Sequence, residues 1–282
     1  MICKLLIFCL TRTIMCYKKN FIMSFINTCL ISVTMYAFVS CTSVDSINRN
    51  SLQLIPQETL VELSNKEFDK LKRNSKLSDN AKYLAQIEKV VSRLSPFIAI
   101  PTELAEQDWE FILIENDDLI NAFALPSAKI GVYTGLFKIV ESEADLAVVI
   151  GHEMGHVVAK HGGERMSQQI AALGGGILLS QATKGDSQED RERLFKIYGL
   201  GSSLGVLLPY SRLHEKEADR LGLIYMAQAG YDPRVAIPFW ERMQKEKSFE
   251  VPEFISTHPS SENRIMELRL LMEEAMLYYK QD

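Results

Sequence analysis

The sequence predicts a mainly helical α+β fold: one domain in which a small antiparallel sheet lies beside a central buried helix. Three observations predict it. Long segments with helical apolar spacing recur along the chain, two short apolar runs separated by turn residues read as a hairpin, and every cysteine falls within the first 41 residues. About 240 residues without disulfides are enough to build a packed core.

Residues 1–41 carry Lys4, Arg12, Lys18 and Lys19 and no acid, and Phe21 to Val39 is uncharged and mostly apolar. This reads as an export signal, with Lys18-Lys19 as the basic start and Phe38-Val39-Ser40-Cys41 as a lipobox-like end that would make Cys41 a lipidated first residue. Phenylalanine at the first lipobox position is less usual than leucine. Cleavage by a general signal peptidase and retention as an anchor are therefore alternatives, and Met15 is an alternative start. Without those four basic residues the chain's 31 become 27 against 36 acids, a formal net charge of −9. Nucleic acid is thus not an expected partner.

Residues 42–55 are expected to be a polar linker and 56–282 the folded domain. Thr59–Leu71 and Ser78–Leu94 have helical spacing, and Trp109–Ile114 reads as a strand. A hairpin is expected over Asn121–Pro126 and Ile130–Leu136; Ser127-Ala128 at its turn suits positive φ poorly, which leaves the turn type open. Next comes a strongly apolar helix through Ala144–Ala159, which carries two histidines and a glutamate. Gly174-Gly175-Gly176 with Ile177-Leu178-Leu179 is too short to span a membrane. With Lys184–Arg193 it is expected to form a mobile lid or partner surface. Final helices are expected over Pro233–Lys247 and Pro259–Tyr279.

The chemistry begins at His152-Glu153-Met154-Gly155-His156. Residues four apart on a helix are offset by about 40°, so both imidazoles can reach one ion, expected to be a single Zn²⁺ per chain. Glu153 would then lie beside the ion as a general base for water. Such a pair on a buried helix would be costly unless hydrogen-bonded or metal-bound. A third ligand 19 or 20 residues beyond the second histidine would fall on Gly175 or Gly176, which excludes the thermolysin-like and aminopeptidase-like spacings. The metzincin spacing fails at Ala159 and Gly162. His161, about 140° round a continuing helix from His156, is expected to point away from the metal, either exposed or behind the ligands.

The remaining candidate is the helix Ser211–Gly222, whose Glu215 and Asp219 share a face. Glu215 could bind the ion while Asp219 accepts a hydrogen bond from the outer nitrogen of a ligating histidine. Glu217 would be turned about 160–200° away.

Together, the HExxH helix, the later Glu-x-x-x-Asp helix, Asn121–Pro126 with Ile130–Leu136, Ser211-Arg212 and His258-Pro259-Ser260-Ser261-Glu262-Asn263-Arg264-Ile265 resemble the gluzincin metallopeptidases of the Ste-, HtpX- and Oma-like family. The soluble periplasmic BepA-like and LoiP-like branch is the most similar, and the resemblance covers about residues 80–270. The family often has paired glycines where this chain has Ser127-Ala128. The resemblance implies a zincin-like domain and substrate pairing along a strand at Asn121, Ala122, Phe123 and Ala124 or at Ile130 to Tyr133. For His258 it leaves three roles open: oxyanion stabilisation, covering the metal at rest, or capping the last helix.

The expected function is zinc-dependent endopeptidase cleavage of misfolded or stalled envelope proteins. The expected place is the periplasmic side of a bacterial envelope, lipid-anchored to the outer membrane through Cys41. The rival is an envelope chaperone or assembly factor of the same fold that binds unfolded outer-membrane proteins and seldom cuts them; nothing specific supports a non-proteolytic zinc hydrolase. Oligomeric state is left open.

Overall fold

A computed structural model describes residues 41–44, 46–98, 101, 104, 107–203, 207–245, 258 and 263–280. The expected export signal, the residues around its cleavage point up to Ser40, and Pro259–Glu262 of the His-Pro motif lie outside the described residues.

The segment expected to be a linker is instead structured. Strands β1 (Cys41–Val44) and β2 (Arg49–Leu52) flank a turn, and Val44 and Ser51 are buried. Polarity misled here because β2 places Ser51 inward while Arg49 and Asn50 carry the charge and the amide. Helices α1 (Gln57–Asn74) and α2 (Ala81–Leu94) follow, the second begun by Asn80, whose side chain accepts from the Tyr83 N–H.

The sheet contains β3 (Glu110–Ile114), β4 (Ala122–Leu125) and β5 (Lys129–Tyr133) in the order β3-β5-β4. The hairpin β4–β5 is antiparallel as expected, and β3 joins β5 in parallel, with Phe111 opposite Ile130. That follows from connectivity: β4 reverses the direction of β3, β5 reverses it again, and the tight hairpin leaves β4 on the edge. Its turn is closed by the Ala128 N–H donating to Leu125 O at 3.1 Å, with Ala128 at φ 60°. A type I turn followed by a left-handed residue has this form, and alanine fills the position glycine would favour.

Helix α3 (Glu143–Val158) is begun by a capping box in which Ser142 Oγ accepts from the Asp145 N–H and the Asp145 carboxylate accepts from the Ser142 N–H. Every residue of α3 from Asp145 onward is buried. The chain then turns at Lys160, φ 56°, and restarts as α4 (His161–Ala182). The glycines at 174–176, expected to be flexible, lie inside this helix. Helix α5 (Gln188–Ser202) returns beside it, with Tyr198 Oη donating to Ala172 O at 2.6 Å, and Leu173, Ile177 and Leu178 remain exposed. No described helix is long and apolar enough to cross a membrane.

Helix α6 (Leu208–Gln228) packs along α3, and α7 (Ala236–Lys245) and α8 (Arg264–Met276) close the bundle. One core joins Ile87, Ile130, Leu146, Ile150, Met226 and Trp240, so α3 is covered by the sheet, α2, α6 and α7.

Candidate metal centre

Helices α3 and α6 meet where side chains are absent. A Cβ on Gly155 would lie 3.0 Å from Ala218 O, and one on Gly222 would lie 2.8 Å from the His152 backbone nitrogen. This close approach places Glu215 and Asp219, two turns and one turn before Gly222, against His152 and His156. All four side chains are buried.

The sequence-predicted ligands converge. His152 Nε2 lies 3.0 Å from His156 Nε2 and 3.2 Å from Glu215 Oε2, and His156 Nε2 lies 3.5 Å from Glu215 Oε1. His258 joins them, with Nδ1 3.3 Å from His152 Nε2 and 3.2 Å from Glu215 Oε2. Among the described residues Asn263 stands at the N-terminal end of the last helix. His258 Nε2 also lies 3.3 Å from Glu153 Oε1.

Glu153 is buried on α3, the helix that packs against β4, where the Ala124 backbone N–H is near enough to oppose slightly the effect of burial on its carboxyl. The edge strand β4 thus runs beside the cluster. Of its expected substrate-pairing residues, Ala122 is wholly buried, Phe123 and Ala124 are partly exposed, and buried Asn121 spends its Oδ1 on the Ala122 N–H.

Asp219 lies where the sequence placed it, Oδ1 accepting from His152 Nδ1 at 2.9 Å. Behind it sits Arg264, which belongs to the His-Pro motif but had no role legible from the sequence. Arg264 is 1 % exposed, donates to both Asp219 oxygens at 2.6 and 2.9 Å, and stacks 3.5 Å over the Trp240 ring.

His161 is buried behind His156, the second of the two positions expected for it. A continuing α3 would have carried it away from His156, whereas the turn at Lys160 ends that helix and swings the ring back. His161 Nδ1 lies 2.8 Å from His156 Nδ1, and its Nε2 lies 2.8 Å from Glu217 Oε2. Glu217 is turned from the ligands as expected, but towards Arg49 and not towards solvent. Arg49 also forks onto Glu164, which accepts from His214 Nε2, and the His214 and His161 rings stack with centroids 4.2 Å apart. Arg49, Glu164 and His214 gave no spacing signal, since their grouping depends on the chain's tertiary return.

The electrostatics favour a cation where the rings meet. Burial pushes the Asp219 carboxyl up, but Arg264 and His152 outweigh it and hold it below its usual range. Burial likewise opposes ionisation of Glu215, and the three histidines overcome it, holding it well below. Burial lowers His152, yet hydrogen bonds to Asp219 and Glu215 prevail and raise it to about 9. Burial, with His152 and His258 nearby, outweighs Glu215 and depresses His156 to about 3, keeping its lone pair available. Glu153 is raised, chiefly by burial.

These residues fit a metal ion. Ligand bonds of about 2.0–2.2 Å in a tetrahedron give donor separations of about 3.3–3.5 Å, close to those seen. Buried oxygens Glu215 Oε1 and Glu153 Oε1 have no hydrogen-bond partner among the described residues. His152, His156, Glu215 and His258 together form a group able to hold an ion.

A buried HExxH helix, an acid from a second helix and an adjoining edge strand define a zincin-type metallohydrolase centre. The chain belongs to peptidase family M48, whose profile it matches over residues 81–271. It is 36% identical over 197 residues to "Mitochondrial metalloendopeptidase OMA1" of Arabidopsis thaliana, covering 69% of this chain and 38% of that protein. The protein of the same name in Schizosaccharomyces pombe is 34% identical, covering 66% of this chain and 53% of the relative. "Beta-barrel assembly-enhancing protease" of Escherichia coli is 31% identical, covering 57% and 34%. The chain thus spans about half or less of the length of these relatives.

Proposed function

We propose that this chain is a zinc-dependent endopeptidase acting on misfolded or stalled cell-envelope proteins, with zinc held by His152, His156 and Glu215. The observation that carries the reading is the position of Glu153, buried on α3 beside the convergent donor atoms, with its Oε1 3.3 Å from His258 Nε2. Bound there, zinc would supply Lewis-acid polarisation of a carbonyl and acidification of water.

The protein's own groups do the rest. Strand β4 offers its outer edge to an extended substrate backbone, a mode that tolerates many sequences because main-chain groups do the pairing. Glu153 takes the proton from the attacking water and returns it to the leaving amine, a role suited to a carboxyl raised by burial. Asp219, held by Arg264, accepts the Nδ1 proton of His152 and turns its Nε2 towards the other donor atoms. His258 takes the position of a fourth donor, which fits a covered resting site.

The basic, apolar leader supports export to the periplasmic side of a bacterial envelope, with lipid attachment at Cys41 to the outer membrane. Similarity to a β-barrel assembly-enhancing protease supports the same compartment, while the mitochondrial relatives leave the leader as the main support. The rival reading, a chaperone of this fold, is separated by Glu153→Gln. The purified variant should bind zinc as wild type does and lose casein cleavage by at least about a hundredfold. Wild-type protein that binds zinc but leaves unfolded substrates intact would favour the chaperone.

A further inference from the structure

Residues 49–54 lie before the segment that matches the family profile, yet they reach the back of the metal site. Gln53 Nε2 donates to Lys160 O at 3.2 Å, and the Leu54 N–H donates to Ser167 Oγ at 2.8 Å, tying this segment to the corner between α3 and α4. From it Arg49 grips Glu217 with two hydrogen bonds, 2.7 Å from Nε to Oε1 and 3.0 Å from Nη2 to Oε2.

Between Glu217 and His156, a neutral His161 leaves one arrangement of donors and acceptors. A carboxylate paired with a guanidinium can only accept, so His161 carries its proton on Nε2, facing Glu217 Oε2 at 2.8 Å. A neutral imidazole then presents a bare Nδ1. The partner of that atom is His156 Nδ1 at 2.8 Å, which must therefore be the protonated nitrogen. His156 Nε2 is left with its lone pair aimed at His152 Nε2 and Glu215. Stacking on His214, itself held by Glu164 on the other fork of Arg49, fixes the plane of the His161 ring.

We propose that Arg49, Glu217 and His161 are positioning residues that set the tautomer and ring orientation of His156, making the arm before residue 81 part of the metal site's support. His152 has its own short support in Asp219 and Arg264. Among the described residues no carboxylate contacts Nδ1 of His156, and the longer chain through His161 performs that task. Glu217→Gln should disrupt it, because an amide can present its NH₂ to His161 Nε2, reverse that ring's tautomer and drive the His156 proton onto the ligating nitrogen.

The test uses the full chain in zinc-free form. Long-range proton–nitrogen NMR correlations of histidine-labelled wild type should show His156 protonated on Nδ1 and His161 on Nε2. Zinc affinity, read by competition with a chelating indicator, should fall about 10- to 100-fold in Glu217→Gln and His161→Ala, and His161→Gln, which keeps an acceptor, should recover part of the loss. The Co²⁺ absorption bands should shift in the same variants. A bare His156 Nδ1 in the wild-type spectrum overturns the proposal, as do affinities within about twofold of wild type in both Glu217→Gln and His161→Ala. The wild-type spectrum needs no variant to fold. The inference rests on His156 being a ligand; wild-type protein that binds no zinc overturns that reading, whereas a bare Nδ1 overturns this one.

Discussion

Gly222→Ala tests whether helix approach builds the site. Intrinsic propensity alone favours alanine over glycine within a helix by about 1 kcal/mol, and α6 runs on to Gln228 beyond this position. The structure reverses the sign. The new methyl would lie 2.8 Å from the His152 nitrogen, 3.0 Å from Gly151 C and 3.1 Å from His152 Cα. Carbon contacts are comfortable at about 3.5–4.0 Å, so α3 and α6 would have to part by roughly 0.5–1 Å, against backbone that cannot rotate away. Overpacking of this kind costs about 1–3 kcal/mol, leaving a net loss of up to about 2 kcal/mol after the propensity gain. Urea unfolding of the zinc-free chain should show that loss. Because the same displacement carries Glu215 and Asp219 away from His152, zinc affinity should fall about tenfold or more, since such sites tolerate only about 0.5 Å of error. A variant more stable than wild type with unchanged zinc affinity would refute the reasoning.

Lys160→Gly should act in the opposite direction. The residue sits at φ 56° where α3 ends, and removing its side chain relieves about 1 kcal/mol of left-handed strain, raising the thermal midpoint by about 2–4 °C. Glu164 gives a pH signature. Burial pushes its carboxyl up, but His214 and Arg49 outweigh that and bring it from 4.5 to about 2. A depressed carboxyl stabilises above its unfolded pKa, so its contribution, about 1–2 kcal/mol after allowing for solvent, is present above pH 4.5 and drains away towards pH 2. Glu164→Gln should flatten the stability curve across that window, and an unchanged slope would count against the pairing. His258→Ala removes the fourth donor; zinc affinity should fall while casein cleavage rises, and a drop in cleavage with zinc still bound would assign His258 to the oxyanion instead.

What the sequence made legible was whatever stays within one helix. His152, Glu153 and His156 share α3, and Glu215 and Asp219 share α6, so angular arithmetic placed them correctly relative to one another. The same arithmetic left His161 either exposed or behind the ligands, and the second holds because Lys160 leaves the helical region and starts a new axis that swings the ring back. For Glu217 it gave the angle but no partner, since pointing away from the metal meant pointing at Arg49 from 168 residues earlier. Polarity misread the segment around Arg49 as a linker, although those polar atoms are the ones that find buried partners. Arg264 shows the limit from the other side. It stands only six residues after His258, yet its place is fixed by Asp219 on one side and Trp240 on the other, neither of which is near it in the chain. Ligands that must meet one ion can be found by periodicity because the ion demands a common face. The groups that orient those ligands answer only to the ring nitrogen left over, and any element that can reach it will serve.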